Sequence, residues 1–310
     1  MHLLIFGLGY SARYSLDFLD QHLDSVAATT RSPDKARRMD EQGIVPILFN
    51  GEEPSDAVRE ALEVATHVIV SAAPDSGGDA VLRQHGADIV RAVISGKLGW
   101  IGYLSTVGVY GDSGGDWVDE TTPVNPSSER SRWRVAAEDG WLRIGAEAEV
   151  PTAILRLAGI YGPGRNHFVN LETGTARRII KPGQVFNRIH VDDIAATIER
   201  AAVTEADGIF NVTDNEPAPS EAAIRFAAEV MGVPVPPDIP FAEAELSPMA
   251  RSFYADNKRV KNDLIRSRLA VELASPSYRE GLAALWESGD WRGGAEDRDE
   301  ASPRFKRAAG

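Results

Sequence analysis

The chain has 310 residues, a formal net charge of −13 and no cysteine, and 43% of its residues are hydrophobic. This composition is typical of a globular protein, and the lack of cysteine excludes disulfides, thiolate nucleophiles and thiolate metal ligands. The acidic balance argues against nucleic-acid or membrane-surface partners. No apolar run approaches the ~20 residues that span a bilayer, and the N-terminus lacks a basic signal-peptide region, so we expect a cytoplasmic protein.

Short apolar segments alternate with helical ones through the first half of the chain. The patterns predict strands at 3–7, 25–30, 44–49, 66–72, 100–106 and 151–159, with helices between them, the last at about 127–148. Alternation at this spacing is typical of βαβ units whose strands form a parallel sheet covered on both faces. We therefore predict an α/β fold with a doubly wound parallel sheet of Rossmann type.

The pattern divides the chain into a dinucleotide-binding core at 1–160 and a small C-terminal substrate lobe at 161–288. The lobe is expected to be interleaved with the sheet, because strand-like segments at 185–191 and 208–213 lie between helices. Residues 289–310 are polar, charged and rich in glycine, so we predict a disordered tail.

A glycine motif follows the first predicted strand and opens the first predicted helix. It reads G-x-G-x-x-A and comprises Gly7, Gly9, Tyr10, Ser11 and Ala12. The first glycine permits a tight turn, the second allows backbone amides to approach a pyrophosphate, and Ala12 keeps helix and strand close. The alternative is a tight strand–helix turn without a ligand, but the position six residues into a βαβ series favours a dinucleotide site.

The end of the second strand indicates which dinucleotide binds. Arg31 and Ser32 stand where an NAD site has an acidic residue for the ribose hydroxyl, and Lys35 follows one turn later. Arginine accommodates a 2′-phosphate at this position, so NADP is predicted over NAD. The alternative is an ordinary solvated arginine.

Four motifs together resemble the extended short-chain dehydrogenase/reductase superfamily, the NAD(P)-dependent epimerase/dehydratase group. They are GLGYSA (7–12), LSTVGVYG (104–111), RLAGIYGPG (156–164) and RIHVDD (188–193). The chain is most similar to the atypical, YeeZ-like branch, for which the resemblance implies a fold and a cofactor but no defined reaction. It also implies that Ser71, Ala72 and Ala73 pack against the cofactor, and that a homodimer is plausible.

Superfamily members with known chemistry use a Ser or Thr together with the Tyr and Lys of a Y-x-x-x-K motif. Thr106 matches the Ser/Thr position, and alignment on Glu138 places Arg130 at the Tyr and Arg134 at the Lys. No Lys lies between 97 and 181, and no Tyr between 110 and 161. A literal Y-x-x-x-K at Tyr254–Lys258 lies far past the sheet and is interpreted as a chance match.

Three interpretations of the missing pair remain. In the first, Arg130 and Arg134 bind an anionic substrate or the nicotinamide ribose while Tyr110, or less favourably His167, moves the proton. In the second, the protein is a regulatory or scaffold protein that binds NADP without turnover. In the third, both arginines face solvent. The leading prediction is an NAD(P)-dependent oxidoreductase or epimerase-like enzyme acting on a small polar substrate.

Other polar residues have less specific predictions. No metal site is predicted, because His190 and its neighbours lack further converging ligands, and Asp192 or Asp193 is expected to cap a helix. Arg165 and Arg188 follow turns that line the substrate cleft in relatives and would hold a phosphate or carboxylate. The alternative for both arginines is a surface salt bridge.

Overall fold

The computed structural model describes residues 1–294 of the chain. The strands are β1 (His2–Phe6), β2 (Ser25–Thr30), β3 (Val45–Leu48), β4 (His67–Val70), β5 (Trp100–Thr106), β6 (Trp117–Val118), β7 (Thr152–Leu157), β8 (Gly159–Tyr161), β9 (Arg178–Ile180), β10 (Arg188–His190), β11 (Gly208–Val212), β12 (Asp238–Pro240) and β13 (Arg259–Val260). The helices are α1 (Tyr10–Leu19), α2 (Pro33–Glu41), α3 (Asp56–Leu62), α4 (Ala80–Ile94), α5 (Glu129–Ala148), α6 (His167–Glu172), α7 (Val191–Val203), α8 (Ser220–Met231), α9 (Pro248–Phe253), α10 (Asp263–Ser267) and α11 (Tyr278–Ser288). Short 3-10 helices lie at Asp20–His22, Val107–Tyr110 and Asp290–Arg292.

Seven strands form the central sheet, in the order β3-β2-β1-β4-β5-β7-β11. Every neighbouring pair in this sheet is parallel. The order reverses between β1 and β4, and in doubly wound sheets the ligand lies at that switch point, beyond the carboxyl ends of the strands. The predicted Rossmann-type sheet is confirmed.

Both faces of the sheet are buried, which explains why its strands are nearly continuous apolar runs. On one face, Leu3 and Ile5 of β1 belong to a core cluster that also contains residues of α1 and α7. On the other face, Leu4 and Phe6 pack in a cluster with residues of α3, α4 and α5.

The second half of the chain contributes to the sheet and also forms smaller units beside it. Strand β11 pairs with β7 at one edge of the sheet, and α7 packs against α1. Three two-stranded parallel sheets, β8/β10, β9/β12 and β6/β13, lie outside the central sheet. The strand-like segment 185–191 is reduced to the three residues of β10.

Residues 289–292, within the predicted disordered tail, are folded. Trp291 lies in the 3-10 helix Asp290–Arg292, is 4% exposed, and packs against Trp286 and Phe168 at centroid distances of 5.6 and 5.9 Å. This burial departs from the prediction, and residues 295–310 of the predicted tail lie outside the described residues. Within residues 1–294, no helix is both long enough and apolar enough to cross a membrane.

Candidate cofactor and active site

The glycine motif forms a tight turn between β1 and α1. Gly7 has a φ of +83°, and a Cβ there would lie 3.1 Å from the backbone nitrogen of Ala72. Its N–H donates to Thr29 Oγ1 at 2.8 Å, which fixes the turn against β2. Ala12 is fully buried beneath the turn. The first residue must therefore be glycine for conformational and steric reasons.

The amino end of α1 suits an anion. Gly9 is the N-cap, no side chain of the described residues caps the helix there, and the first turn carries no acidic residue. Ser11 and Tyr10 occupy the first turn, and both are buried. The first-turn amides of a helix have no partner within the helix itself, and together with the positive end of the helix dipole they favour a phosphate group. These residues fit a dinucleotide.

The end of β2 supplies cations beside this turn. Arg31 is exposed immediately after the strand. The Lys35 ammonium donates to the carbonyl of Leu8 within the glycine turn. Ser32 Oγ accepts the Lys35 N–H at 3.3 Å and caps α2, so its own hydroxyl proton can still be donated to a ligand.

The segment after β4 forms the opposite wall of the turn. The N–H groups of Ser71 and Ala72 both donate to the carbonyl of Phe6, at 2.9 Å. Ala72 crowds the space that a Cβ at Gly7 would occupy, and Ala73 is exposed beside it. The predicted small-residue segment therefore lies against the glycine motif.

Thr106 ends β5 at the same edge of the sheet. Its Oγ1 accepts the Gly108 N–H at 3.1 Å and caps the 3-10 helix that follows. The side chain is half-buried. A hydroxyl that already accepts one hydrogen bond keeps its proton to donate, so Thr106 can hydrogen-bond a substrate oxygen.

The Tyr110 side chain is buried, and its hydroxyl has a partner inside the protein. The residue is 2% exposed, and its hydroxyl donates to Asn211 Oδ1 at 2.8 Å. The guanidinium carbon of Arg156 lies 4.9 Å from the ring centroid, and burial raises the pKa of the Tyr110 hydroxyl. The geometry therefore argues against the predicted role of Tyr110 as substitute acid or base, because its proton is held inside the protein.

A row of polar residues crosses the sheet next to Tyr110. Ser105, Arg156 and Asn211 are register partners on β5, β7 and β11, so their side chains share one face. Glu138 of α5 binds two of them: it accepts the Ser105 hydroxyl and pairs with Arg156, whose Nη2 lies 2.7 Å from Oε2. The row was not predicted, although polar residues at corresponding positions of buried strands are a signal for it.

The two arginines of α5 have different environments. Arg134 Nη1 donates to the Leu104 carbonyl at 2.9 Å and to the Tyr103 hydroxyl at 3.1 Å, which ties α5 to β5. Arg130 is exposed in the first turn of the helix. The solvent-facing interpretation therefore fits Arg130 and is wrong for Arg134.

His167 of α6 and Arg188 of β10 lie outside the central sheet. Burial and the neighbouring Arg188 lower the pKa of His167 to about 3, so this imidazole stays neutral at physiological pH. Arg188 is buried, and its Nη1 donates to the carbonyls of Ala218 at 3.0 Å and Phe186 at 3.1 Å. A surface salt bridge is therefore wrong for Arg188.

The cap of α7 is His190 rather than either predicted aspartate. His190 Nδ1 accepts the Asp192 N–H at 3.2 Å. The Asp193 carboxylate instead accepts the N–H groups of Ala274 at 2.7 Å and Ser275 at 3.1 Å. Among residues 1–294, no group of three or more acidic, histidine or cysteine side chains is placed to hold a metal ion.

Lys258, from the Y-x-x-x-K match outside the predicted helix, lies beside the Tyr110 loop. Its buried ammonium donates to the Gly111 carbonyl at 2.8 Å, and burial lowers the pKa of this lysine. The Tyr254 hydroxyl hydrogen-bonds Ser220 Oγ at 3.1 Å. The two side chains have separate partners, as expected for a chance match.

Comparisons with known proteins agree with this geometry. Residues 3–213 match the family model described as NAD dependent epimerase/dehydratase family. A solved structure, of a functionally unknown conserved protein from Silicibacter pomeroyi DSS, is 47% identical with a TM-score of 0.84, covering 93% of this chain and 99% of that one.

Two curated bacterial proteins are also similar. Protein YeeZ of Escherichia coli K12 is 33% identical over 190 residues, 59% of this chain and 66% of that protein. The 3-diazoavenalumate denitrifying reductase of a Streptomyces species is 28% identical over 180 residues, 53% of this chain and 58% of that protein. The match thus spans less than two thirds of the length of either relative.

Proposed function

The chain belongs to the NAD dependent epimerase/dehydratase family, and on that premise we propose that it is an NADP-dependent oxidoreductase or epimerase-like enzyme acting on a small polar substrate. The observation that carries the proposal is the glycine turn at Gly7–Ala12, built against Ala72 and leading into an uncapped helix. The similarity to a protein named as a reductase supports hydride transfer as the reaction class.

Different residues around this turn would bind different parts of the cofactor. The amino end of α1 would hold the pyrophosphate, while Arg31, Ser32 and Lys35 would hold the 2′-phosphate of NADP. Arginine suits that phosphate because its planar guanidinium binds two oxygens at once. When bound, the nicotinamide supplies or accepts the hydride.

The chain's own residues then bind and orient the substrate. Thr106 hydrogen-bonds a substrate oxygen through the hydroxyl proton that its contact with Gly108 leaves available. Arg130, exposed at the start of α5, would attract an anionic part of the substrate. Arg134 positions the start of α5 by binding the β5 backbone, and an arginine cannot serve as a general base.

A second candidate is a regulatory or scaffold protein that binds NADP without turnover. Two features favour it: the motif alignment assigns Arg130 and Arg134 to the positions of the usual Tyr/Lys pair, and the hydroxyl of Tyr110 is buried against Asn211. A protein of this kind would bind the cofactor but oxidise no NADPH with any substrate.

Titration of the cofactor-free protein with NADPH and NADH tests the cofactor assignment. We expect NADPH to bind more tightly than NADH. Arg31→Asp should abolish this preference and weaken NADPH binding by about tenfold or more, because a charge-assisted hydrogen bond is lost. Arg37→Asp is the matched control, since Arg37 is exposed on α2 and pairs with Asp34. Equal binding of both cofactors, unchanged by Arg31→Asp, would refute the assignment of NADP as the cofactor. Binding of neither cofactor would refute the proposal that the protein is an NADP-dependent enzyme.

Turnover separates the two candidate functions. If the protein is an enzyme, it should oxidise NADPH in the presence of at least one compound from a panel of carbonyl compounds and sugar nucleotides. Thr106→Ala should then lower the rate of that oxidation by at least about tenfold. Thr106→Ser retains both the hydroxyl and the cap, so it should keep most of the activity. Tight NADPH binding without turnover on the panel would favour the scaffold.

A further inference from the structure

A turn of the lobe covers the glycine motif. Residues 162–165 close a turn in which Gly162 and Arg165 exchange two backbone hydrogen bonds of 3.0 Å. The Tyr10 hydroxyl donates to the carbonyl of Pro163 at 2.9 Å. The guanidinium carbon of Arg165 lies 4.7 Å from the centroid of the Tyr10 ring.

The helix direction places this contact near the proposed cofactor site. Tyr10 is the first residue of α1, and side chains on an α-helix point back toward its amino end. The ring of Tyr10, and Arg165 stacked on it, therefore lie at the amino end of α1. That end is where the dinucleotide pyrophosphate binds in this fold.

The turn is held tightly in this position. A Cβ at Gly162 would lie 2.7 Å from the Tyr10 hydroxyl and 2.6 Å from Val191 Cγ1, so a side chain does not fit. Asn166 Nδ2 donates to the carbonyl of Gly162 at 2.8 Å and to that of Trp291 at 2.7 Å. The Trp291 carbonyl thus braces, through Asn166, the turn that carries Arg165.

An anion between Arg165 and α1 would interact favourably with both. The guanidinium is a full positive charge, and the amino end of a helix acts as about half of one. Arginine can stack its flat face on an aromatic ring while its N–H groups bind phosphate oxygens, which lysine cannot do.

We propose that Arg165 binds the pyrophosphate of the cofactor, held in place by Tyr10 and the 162–165 turn. The proposal rests on the proposed function, because it requires a dinucleotide at the amino end of α1. It makes the lobe part of the cofactor site as well as of the substrate cleft. Arg31 and Arg165 would then recognise different phosphates of one molecule.

Calorimetric titration with three ligands separates the two arginines. NADPH carries both phosphate groups, ADP-ribose carries the pyrophosphate without the 2′-phosphate, and adenosine 2′-monophosphate carries the 2′-phosphate without the pyrophosphate. Arg165→Gln should weaken the binding of NADPH and of ADP-ribose by about tenfold or more, because a charge-assisted hydrogen bond is lost. Its affinity for adenosine 2′-monophosphate should stay at the wild-type value. Arg31→Gln should weaken the binding of NADPH and of adenosine 2′-monophosphate and should leave the affinity for ADP-ribose unchanged.

Two further variants complete the test. Arg165→Lys keeps the charge but loses the planar stack, so its affinity for ADP-ribose should lie between those of wild type and Arg165→Gln. Arg143→Gln changes an exposed arginine of α5 and should bind all three ligands like wild type.

The outcomes distinguish failure of the Arg165 proposal from failure of the proposed function. Wild-type affinity of Arg165→Gln for NADPH and ADP-ribose would overturn the proposal while leaving the proposed function intact. Equal weakening of all three ligands would also overturn it, because a general disturbance of the turn would then explain the loss. Failure of wild type to bind any of the three would refute the proposed function itself.

Discussion

The hydroxyl of Tyr110 should stabilise the fold and contribute little to turnover. Tyr110→Phe removes the donor to Asn211 Oδ1, a 2.8 Å hydrogen bond in a region where the tyrosine is 2% exposed. The Asn211 Nδ2 atom is buried with no hydrogen-bond partner among the described residues, so the substitution leaves this amide with two unsatisfied polar atoms. An unsatisfied buried polar group costs about 1–3 kcal/mol.

The loss is measurable by thermal and urea denaturation. A cost of this size should lower the melting temperature by roughly 1.5–5 °C, because the entropy of unfolding of a chain of this length is about 0.65 kcal/mol/K. A double-mutant cycle with Asn211→Leu supplies the control, because removing both partners costs less than the sum of the single changes. Turnover of the folded Tyr110→Phe protein, or NADPH affinity if no turnover is found, should stay within about twofold of wild type.

Two results would contradict this role of the Tyr110 hydroxyl. If Tyr110→Phe unfolds like wild type yet loses turnover by an order of magnitude, then the hydroxyl acts on the substrate. The structure would in that case have to open at β11 during catalysis. Additive effects in the double-mutant cycle would separately contradict the hydrogen bond to Asn211 as the source of the stability.

Two other buried groups carry predictions about stability. Glu138→Gln leaves the Arg156 guanidinium buried without its carboxylate and should lower the free energy of unfolding, measured with urea, by about 3–5 kcal/mol. Asp56→Asn removes a charge from a side chain that is 88% exposed and should cost less than about 1 kcal/mol; equal effects would contradict the burial of the Glu138–Arg156 pair as the cause. Burial raises the pKa of Asp214 from 3.8 to about 7, so between these values the native state keeps a proton that the unfolded state loses, and stability falls as pH rises. Asp214→Asn should therefore be increasingly more stable than wild type from about pH 4 to about pH 8, where the difference levels off; a difference independent of pH would contradict the raised pKa.

The first six strands of the sheet could be predicted because their signal is local. Each is a short apolar run that must be buried on both faces, and the alternating helices allow one parallel arrangement. The place of β11 depends instead on pairing with β7, which lies about fifty residues earlier. Periodicity within a short segment carries no information about its partner. Trp291 was missed for a related reason, since one aromatic residue among polar ones is buried only through its contacts with Phe168 and Trp286.

The cofactor site was predictable where conformation itself demands a residue type. Gly7 needs glycine for its φ of +83° and for the approach of Ala72, and both requirements can be inferred from the motif. The environment of Arg134 could not be inferred in this way, because the Leu104 carbonyl and Tyr103 hydroxyl that bind it come from another strand. Motif position places a residue on the correct helix but does not determine its partners.

These environments limit the chemistry that the site can perform. Neither arginine of α5 can act as a base, the hydroxyl of Tyr110 is buried, and His167 stays neutral because its pKa is lowered to about 3. Of the residues predicted from the sequence to be catalytic, Thr106 is the one that combines partial exposure with an available proton, and a threonine hydroxyl is a weak acid. General acid catalysis contributes about 10²–10⁴ to rate, so a reaction that builds an alkoxide would lose that factor here. We therefore expect the preferred substrates to be those whose reduction needs no proton from a tuned tyrosine, and a panel that contains only simple ketones should show slow turnover.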